Sequence, residues 1–406
     1  MSDDARAWFV RQPGRLGDPR PTAILGIVLG LLAFWVALPP WTVRGVAYPI
    51  VIGLLAMGCG AAALARAERR YGSWAIVAGF LGAAAGLWAK GVEKDTLEAV
   101  LTGGLIASTL RFATPLAFAA MGGIFCERSG VVNIGLEGMM LIGAFFAVWG
   151  AIWSNNWIVG LLMAMVSGAL LALIHAIFSI HLRADQIVSG FAVNLLALGL
   201  TGYLFSSIYP GGIPTGDVDD VPKLTLDFLD RIPAVGDFLE IVFGDLSLLV
   251  WIMFVAVALS YIVLFKTPIG LRIRSVGEHP RAADTVGISV YVVRYAAVVT
   301  SGVLAALGGA FLSIGFVGTF SENMTSGRGY IALAAVIFGK WRPGWAFVAT
   351  LLFGFGFALA IPLQREADVS ENLISTLPYV LTLVAVAGVI GRSIPPAAIG
   401  RPYVKQ

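Results

Sequence analysis

Long apolar runs recur along almost the whole chain, and short polar segments separate them. A helix needs roughly 20 apolar residues to cross the hydrocarbon core of a bilayer. The pattern therefore predicts an all-α polytopic membrane protein with about 10–12 transmembrane helices. The predicted spans are residues 22–38, 46–65, 73–89, 99–121, 136–152, 158–180, 187–208, 246–265, 296–318, 345–363 and 377–390, with a shorter candidate at 328–339.

Composition supports the same class. Of the 406 residues, 58% are hydrophobic and 13% are charged, and the mean hydropathy is +0.87. Soluble proteins average about 45–50% apolar and about 25% charged residues, so this chain has too little polar surface to cover itself in water. The net charge of +3 is nearly balanced and does not indicate a protein that binds nucleic acid.

Loop charges predict the orientation. Segment 210–245 contains two basic and eight acidic residues, whereas segment 266–294 contains five basic and two acidic residues. Cytoplasmic loops are enriched in Lys and Arg, so segment 266–294 is expected inside and segment 210–245 outside. Counting outward places both termini in the cytoplasm, provided that segment 328–339 crosses the membrane or a broken helix replaces it.

Polar residues interrupt the apolar pattern between residues 121 and 136. This break contains Glu127, Arg128 and Asn133, and Glu137 follows inside the next apolar run. A charge at membrane depth costs about 2.5–3.5 kcal/mol on insertion scales, so such residues usually face protein or a water-filled path. Glu127 and Arg128 also fit a solvated cytoplasmic turn, and both interpretations stay open. Asn133 and Glu137 are expected to face a pathway.

A second break, residues 321–330, contains Arg328. Aligning Ser129-Gly130 with Ser326-Gly327 matches four residues in about ten, including two apolar positions further along. Glycine-interrupted apolar segments at corresponding places in two halves are typical of inverted-repeat transporters, whose path lies at the repeat interface. Chance similarity between two segments rich in small and apolar residues is the alternative.

The basic loop after residue 266 carries signals for a short helix. Pro280 favours a helix start, Ala282 and Ala283 propagate the helix, and Gly287 favours a left-handed end. A short helix beside basic residues fits the groove of a partner protein. A loop that only anchors the orientation is the alternative.

Several motifs follow one another along the chain: Gly-Leu-Arg at 270–272, Val-Gly-Glu at 276–278, Ala-Ala at 282–283, Gly-Ile at 287–288 and a small-residue run at 301–309. Together they resemble the permease subunits of bacterial ABC importers for ribose-type sugars, nucleosides and branched-chain amino acids. Segments 127–138 and 182–190, with Asn194, look most like the nucleoside-type, or simple-sugar, branch. The resemblance covers roughly residues 73–391.

The resemblance implies two sets of functional residues. The set that contacts an ATPase, here named the coupling segment, is Gly277, Glu278, Ala282, Ala283, Gly287 and Ile288. Together with the polar breaks, the resemblance gives the candidate residues of the translocation pathway: Glu127, Arg128, Asn133, Glu137, Asn194 and Arg328. Residues 133–138 are expected at a broken helix, and residues 328–330 in the matching segment of the other half. The amide of Asn194 would contact a polar solute or bond a neighbouring helix.

The resemblance also implies an assembly in the bacterial cytoplasmic (inner) membrane. Its expected partners are ABC ATPase subunits, a second permease subunit that is identical or related, an extracytoplasmic solute-binding protein and the lipid bilayer. The expected domains are a cytoplasmic segment (1–21), additional transmembrane helices (22–72), the permease core (73–391) and a cytoplasmic tail (392–406). The expected solute is a nucleoside or related sugar-containing compound, with branched-chain amino acids and simple sugars as alternatives.

Motifs for other functions do not appear in the sequence. Gly339-Lys340 is followed by Trp341 rather than Ser or Thr, so no phosphate-binding loop is present and ATP would be hydrolysed by partner subunits. The three histidines have no metal-ligand spacing, and no Gly-x-Ser-x-Gly elbow occurs. We therefore expect no catalytic residue, metal site or cofactor in this chain. An ion-coupled secondary transporter that uses Glu137 is the alternative.

Overall fold

The computed structural model describes residues 20–36, 47–66, 69–91, 103–209, 211, 218–225, 236–366 and 393–405. Almost all of the secondary structure in these residues is α-helical, which confirms the predicted all-α polytopic fold class. Residue contacts divide the chain into two units, Met1–Thr102 and Gly103–Gln406. The span predicted at 377–390, the segment 1–19 and parts of the acidic loop 210–245 lie outside the described residues.

The first unit contains three helices, α1 (Arg20–Val36), α2 (Ala47–Ala65) and α3 (Arg69–Gly91). Glycines let their backbones touch: a Cβ atom added to Gly53 would lie 2.6 Å from the carbonyl oxygen of Gly79. Because α3 packs against α1 and α2 in this way, it belongs to the first unit, whereas the expected permease core begins at residue 73.

The second unit contains the remaining elements. Its helices are α4 (Gly103–Arg128), α5 (Leu136–Ser154), α6 (Trp157–Ala176), α7 (Gln186–Ile208), α8 (Gly236–Phe243), α9 (Leu248–Lys266), α10 (Pro268–Glu278), α11 (Pro280–Thr285), α12 (Val290–Leu312), α13 (Arg328–Phe338) and α14 (Pro343–Glu366). Five-residue π-helical turns, Ile177–His181 and Ser313–Val317, extend α6 and α12. The strands β1 (Lys223–Thr225) and β2 (Asp245–Ser247) pair antiparallel, with Leu224 opposite Leu246.

Eight of the described helices are long and apolar enough to cross a membrane: α2, α4, α5, α6, α7, α9, α12 and α14. The short candidate at 328–339 forms α13, which has only 11 residues. Its rise of about 16 Å is roughly half of what a bilayer core requires. Helix α13 is therefore a half-helix, as expected for a broken segment.

Helices α4, α5 and α12 form the centre of the second unit. In their most apolar stretches 89%, 78% and 72% of the residues are buried, against 28% in α9. Small residues at the crossings allow this enclosure, because a Cβ atom added to Gly143 would lie 2.5 Å from the Cα atom of Ala306. The two breaks in the helical pattern lead directly into this centre.

The first break is shorter than predicted. Helix α4 was expected to end at Met121, but it continues to Arg128, so the break comprises residues 129–135. The glycines after Met121 lie inside the helix because a neighbouring backbone needs the space: a Cβ atom added to Gly122 would lie 2.6 Å from the carbonyl oxygen of Ser301. The glycines that the alignment pairs, Gly130 and Gly327, both have left-handed backbone, with φ of +91° and +81°.

Candidate functional site

The two helices that follow the breaks, α5 and the half-helix α13, meet at their N-termini. A Cβ atom added to Gly329, in the first turn of α13, would lie 2.5 Å from both the Cα and the backbone nitrogen atom of Glu137, in the first turn of α5. The two breaks therefore form one site. We name it the break site and define it by Asn133, Glu137, Asn194, Gly327, Gly329 and Tyr330.

Glu137 closes the N-terminus of the opposite half-helix. One carboxylate oxygen, Oε1, accepts the N–H of Gly327 at 2.7 Å, and Oε2 accepts the N–H of Gly329 at 2.6 Å. The first N–H groups of a helix have no partner within the helix and carry its positive dipole end, so a carboxylate is stabilised there. The side chain is only 8% exposed. Glu137 is thus a buried, charge-assisted link between α5 and the start of α13.

Asn194, on α7, binds both sides of the first break. Its Oδ1 atom accepts the N–H of Gly138 at 2.8 Å, and its Nδ2 group donates to the carbonyl of Ile134 at 3.0 Å. The same Nδ2 group donates to the hydroxyl of Tyr330, in α13, at 3.0 Å. In this structure Asn194 therefore forms the interhelical bonds that were one of its two expected roles.

Asn133 is completely buried in the non-helical backbone of the first break. Its Nδ2 group donates to the hydroxyl of Ser301, on α12, at 2.9 Å. Its Oδ1 atom has no hydrogen-bond partner among the described residues. A buried acceptor without a donor costs about 1–3 kcal/mol, so this oxygen favours a conformation or a ligand that supplies a donor.

Two residues that the sequence analysis missed support the backbone of the break. The N–H of Val132 donates to Oε1 of Gln186 at 2.7 Å, and the carbonyl of Val132 lies 3.0 Å from Nε2 of His175. Because a carbonyl oxygen only accepts, Nε2 carries the hydrogen, and the hydroxyl of Ser189 lies 3.0 Å from Nδ1. The available signal was an isolated histidine inside an apolar run, and its spacing to the other histidines indicates no metal site.

Glu127 and Arg128 lie at a different place, the end of α4. The Glu127 carboxylate accepts the indole N–H of Trp341, and the Arg128 guanidinium donates to the Trp341 carbonyl at 3.0 Å. Glu127 is only 3% exposed, so a solvated turn does not describe it. Both residues fasten α4 to the turn between α13 and α14.

Arg328 is the first residue of α13, and its side chain bonds the backbone of the second break. Its guanidinium donates to the carbonyls of Met324 and Thr325 at 3.0 and 3.1 Å and lies 5.5 Å from the ring centroid of Phe357. Of the six predicted pathway residues, the structure thus brings Asn133, Glu137 and Asn194 together. No group of side chains suited to a metal ion occurs in the described ranges.

The coupling segment comprises the end of α10, α11 and the turn after it. Gly277 is buried, and its carbonyl accepts the N–H of Ala398 at 2.9 Å. Ala283 packs in a small apolar cluster with Val276, Val290 and Tyr403. One face of the segment is therefore fixed to the rest of the second unit.

The other face of the coupling segment is exposed. Glu278, Ala282 and Gly287 lie on it, and Val286 is 74% exposed at its tip. Gly287 has the predicted left-handed backbone, with φ of +83°, and its N–H donates to the carbonyl of Asp284 at 3.0 Å. The N–H of Ile288 then donates to the carbonyl of Ala283 at 3.0 Å. A short helix with a sharp end and an apolar tip is thus presented outward.

Comparisons with known proteins agree with this architecture. The guanosine ABC transporter permease protein NupQ of Bacillus subtilis (strain 168) is 44% identical over 320 residues, which are 74% of this chain and 96% of the relative. The nucleoside ABC transporter permease protein NupC of Lactococcus lactis subsp. cremoris is 40% identical over 74% of this chain and 97% of the relative. The guanosine ABC transporter permease protein NupP of Bacillus subtilis is 25% identical over 68% of this chain and 80% of the relative.

No solved structure matches the chain. The family described as branched-chain amino acid transport system, permease component, matches residues 105–386, which include both breaks and the coupling segment. The chain therefore belongs to this family of ABC transporter permeases and is a transport subunit.

Proposed function

We propose that this chain is the permease of an ATP-driven importer for nucleosides, and that the solute passes beside the break site. The observation that carries the proposal is the link from Glu137 to the N-terminus of α13, because it joins the helices that follow the two breaks through buried polar groups. The relatives named for guanosine and for nucleosides support the class of solute.

Import would proceed by alternating access, in which the two halves move relative to each other around the break site. Nucleosides carry hydroxyl, amino and ring nitrogen groups that both donate and accept hydrogen bonds. The free Oδ1 atom of Asn133 would accept such a donor once the path opens, and the hydroxyl of Tyr330 and the amide of Asn194 would serve as further partners. Arg328 would contribute by holding the start of α13.

ATPase subunits would bind the exposed face of the coupling segment and hydrolyse ATP there, outside this chain. The pore would contain a second permease, either a second copy or a related chain; the two guanosine permeases NupQ and NupP of Bacillus subtilis support a related chain. A solute-binding protein would deliver the nucleoside at the acidic loop 210–245, outside the cytoplasmic membrane. Both termini would then be cytoplasmic, and the N-terminal helices would precede the permease core.

The first experiment purifies the tagged chain from its native membrane in mild detergent and identifies the retained proteins by mass spectrometry. The complete assembly is then reconstituted in vesicles and tested for uptake of labelled guanosine. We expect ATP-dependent uptake that unlabelled nucleosides inhibit and that leucine and glucose do not. Inhibition by leucine or glucose would instead indicate an importer for amino acids or sugars. Uptake by the chain without ATPases, under an ion gradient, would indicate a secondary transporter.

Gly287→Val tests the docking of the ATPase. A β-branched residue in left-handed backbone costs roughly 1–2 kcal/mol, so the turn after α11 will relax and the tip will move. We expect normal membrane insertion, reduced retention of the ATPase subunits and uptake lower by about tenfold.

Gly287→Asn is the matched control, because asparagine tolerates left-handed backbone. This variant should retain most of the uptake and of the bound ATPase. Equal uptake by the valine variant and the native chain would exclude the turn as part of the docking surface.

A further inference from the structure

The C-terminal segment 393–405, here named the C-terminal strap, is bonded to several elements at once. Its backbone N–H groups donate to the carbonyls of Gly277 and Gly130 and to the carboxylate of Glu278. The strap also accepts one bond from Arg294, and its Ser393 hydroxyl donates to the carbonyl of Ile337. The pairs are Ala398 N–H to Gly277 O (2.9 Å), Gly400 N–H to Gly130 O (3.1 Å), Ala397 N–H to Glu278 Oε2 (3.1 Å), Arg294 Nη1 to Arg401 O (3.1 Å) and Ser393 Oγ to Ile337 O (3.1 Å).

Arg294, on α12, bonds both the strap and the first break. Its side chain is 1% exposed, Nε donates to the carbonyl of Ser129 at 3.2 Å, and Nη1 donates to the carbonyl of Arg401. Across the described part of the chain, no carboxylate lies within ion-pair distance of this guanidinium. A buried charge held only by backbone carbonyls is costly, and the planar fork of arginine is what allows one side chain to bond two carbonyls.

The strap connects two places that the proposed function requires to move together. Gly277 and Glu278 belong to the coupling segment. Ser129 and Gly130 are the first residues of the first break, which contains Asn133 and leads into α5, where Glu137 lies in the first turn. Gly130 also marks a close approach, because a Cβ atom added there would lie 3.0 Å from Nη2 of Arg294 and 3.2 Å from the carbonyl oxygen of Ala398.

We propose that the C-terminal strap transmits movement of the coupling segment to the first break, and that Arg294 is the positioning residue that holds it. The inference rests on the proposed docking of ATPases at the coupling segment. Hydrogen bonds are directional, so a displacement of Gly277 moves Ala398, and the bond from Gly400 carries that displacement to Gly130. Arg294 keeps the peptide groups of Ser129 and Arg401 in one arrangement during this movement.

The test compares Arg294→Lys with Arg401→Lys in the complete reconstituted assembly. A lysine at position 294 keeps the charge but lacks the fork that bonds both carbonyls. At position 401 only the backbone carbonyl takes part, so the same substitution leaves the strap unchanged. We expect Arg294→Lys to retain its ATPase subunits and to hydrolyse ATP while solute uptake per ATP falls about tenfold, and Arg401→Lys to match the native assembly.

Two results would overturn the proposal. Native uptake per ATP in Arg294→Lys would exclude transmission through the strap, and loss of the bound ATPase in that variant would mean that the strap only builds the docking surface. Failure of the native assembly to bind ATPases would instead refute the proposed function. If Arg294→Lys does not elute as a monodisperse protein, Arg294→Gln decides in the same way, because the shorter side chain carries no buried charge and cannot bond the carbonyls of both Ser129 and Arg401.

Discussion

Gly302→Val is expected to remove most of the folded protein from the membrane. A Cβ atom at this position would lie 2.3 Å from the carbonyl oxygen of Gly168 and 2.4 Å from the Cβ atom of Ala172. Neither atom can rotate away, because both are fixed to the helical backbone of α6. Helices α6 and α12 would therefore have to separate at the centre of the second unit. Overpacking usually costs about 1–3 kcal/mol, and we expect a value at or above the upper end.

The measurement is the yield of monodisperse protein after extraction in mild detergent, with the midpoint of its thermal unfolding. Gly199→Val is the matched control, because Gly199 is also helical and a Cβ atom there meets nothing within 4 Å. This control should change stability by only a few tenths of a kcal/mol, because valine has a slightly better helix propensity than glycine. An unchanged yield and midpoint for Gly302→Val would contradict the close contact of α6 with α12.

Glu137→Gln should give a protein that folds but transports at least about tenfold more slowly. Glutamine has the same shape, but its amide offers one acceptor oxygen and presents an NH₂ group to the other backbone N–H. Either Gly327 or Gly329 then loses its bond, and a buried donor without a partner costs about 1–3 kcal/mol. The link between α5 and α13 would weaken, and the proposed pathway beside it would be disturbed.

Initial rates of nucleoside uptake, divided by the amount of protein in the vesicles, measure this effect. Glu322→Gln is the control. This substitution removes the same charge from the second break, but Glu322 is exposed. Uptake should be close to native in the control. Native uptake in Glu137→Gln would reduce Glu137 to a packing role, and an equal loss in both variants would point to net charge rather than to the link.

The local pattern of the sequence was sufficient to predict the left-handed backbone of Gly287 in the coupling segment. Gly130 and Gly327 share this backbone, which the sequence alone did not indicate. The alignment of the two breaks paired Gly130 with Gly327, although their segments share few other residues. The same local reasoning was wrong about the end of α4, because glycines at 122 and 123 can serve a turn or a close helix contact, and only the presence of Ser301 on α12 selects the contact.

The sequence by itself determined the class of the protein: in a bilayer every backbone polar group needs an internal partner, so long apolar runs must become helices. Only the tertiary structure decided which polar groups meet. Glu137 binds amides that are 190 and 192 positions away, and the strap reaches Gly277 from residue 398. Such pairs depend on how the helices cross and where each backbone ends, and no spacing along the chain encodes that distance.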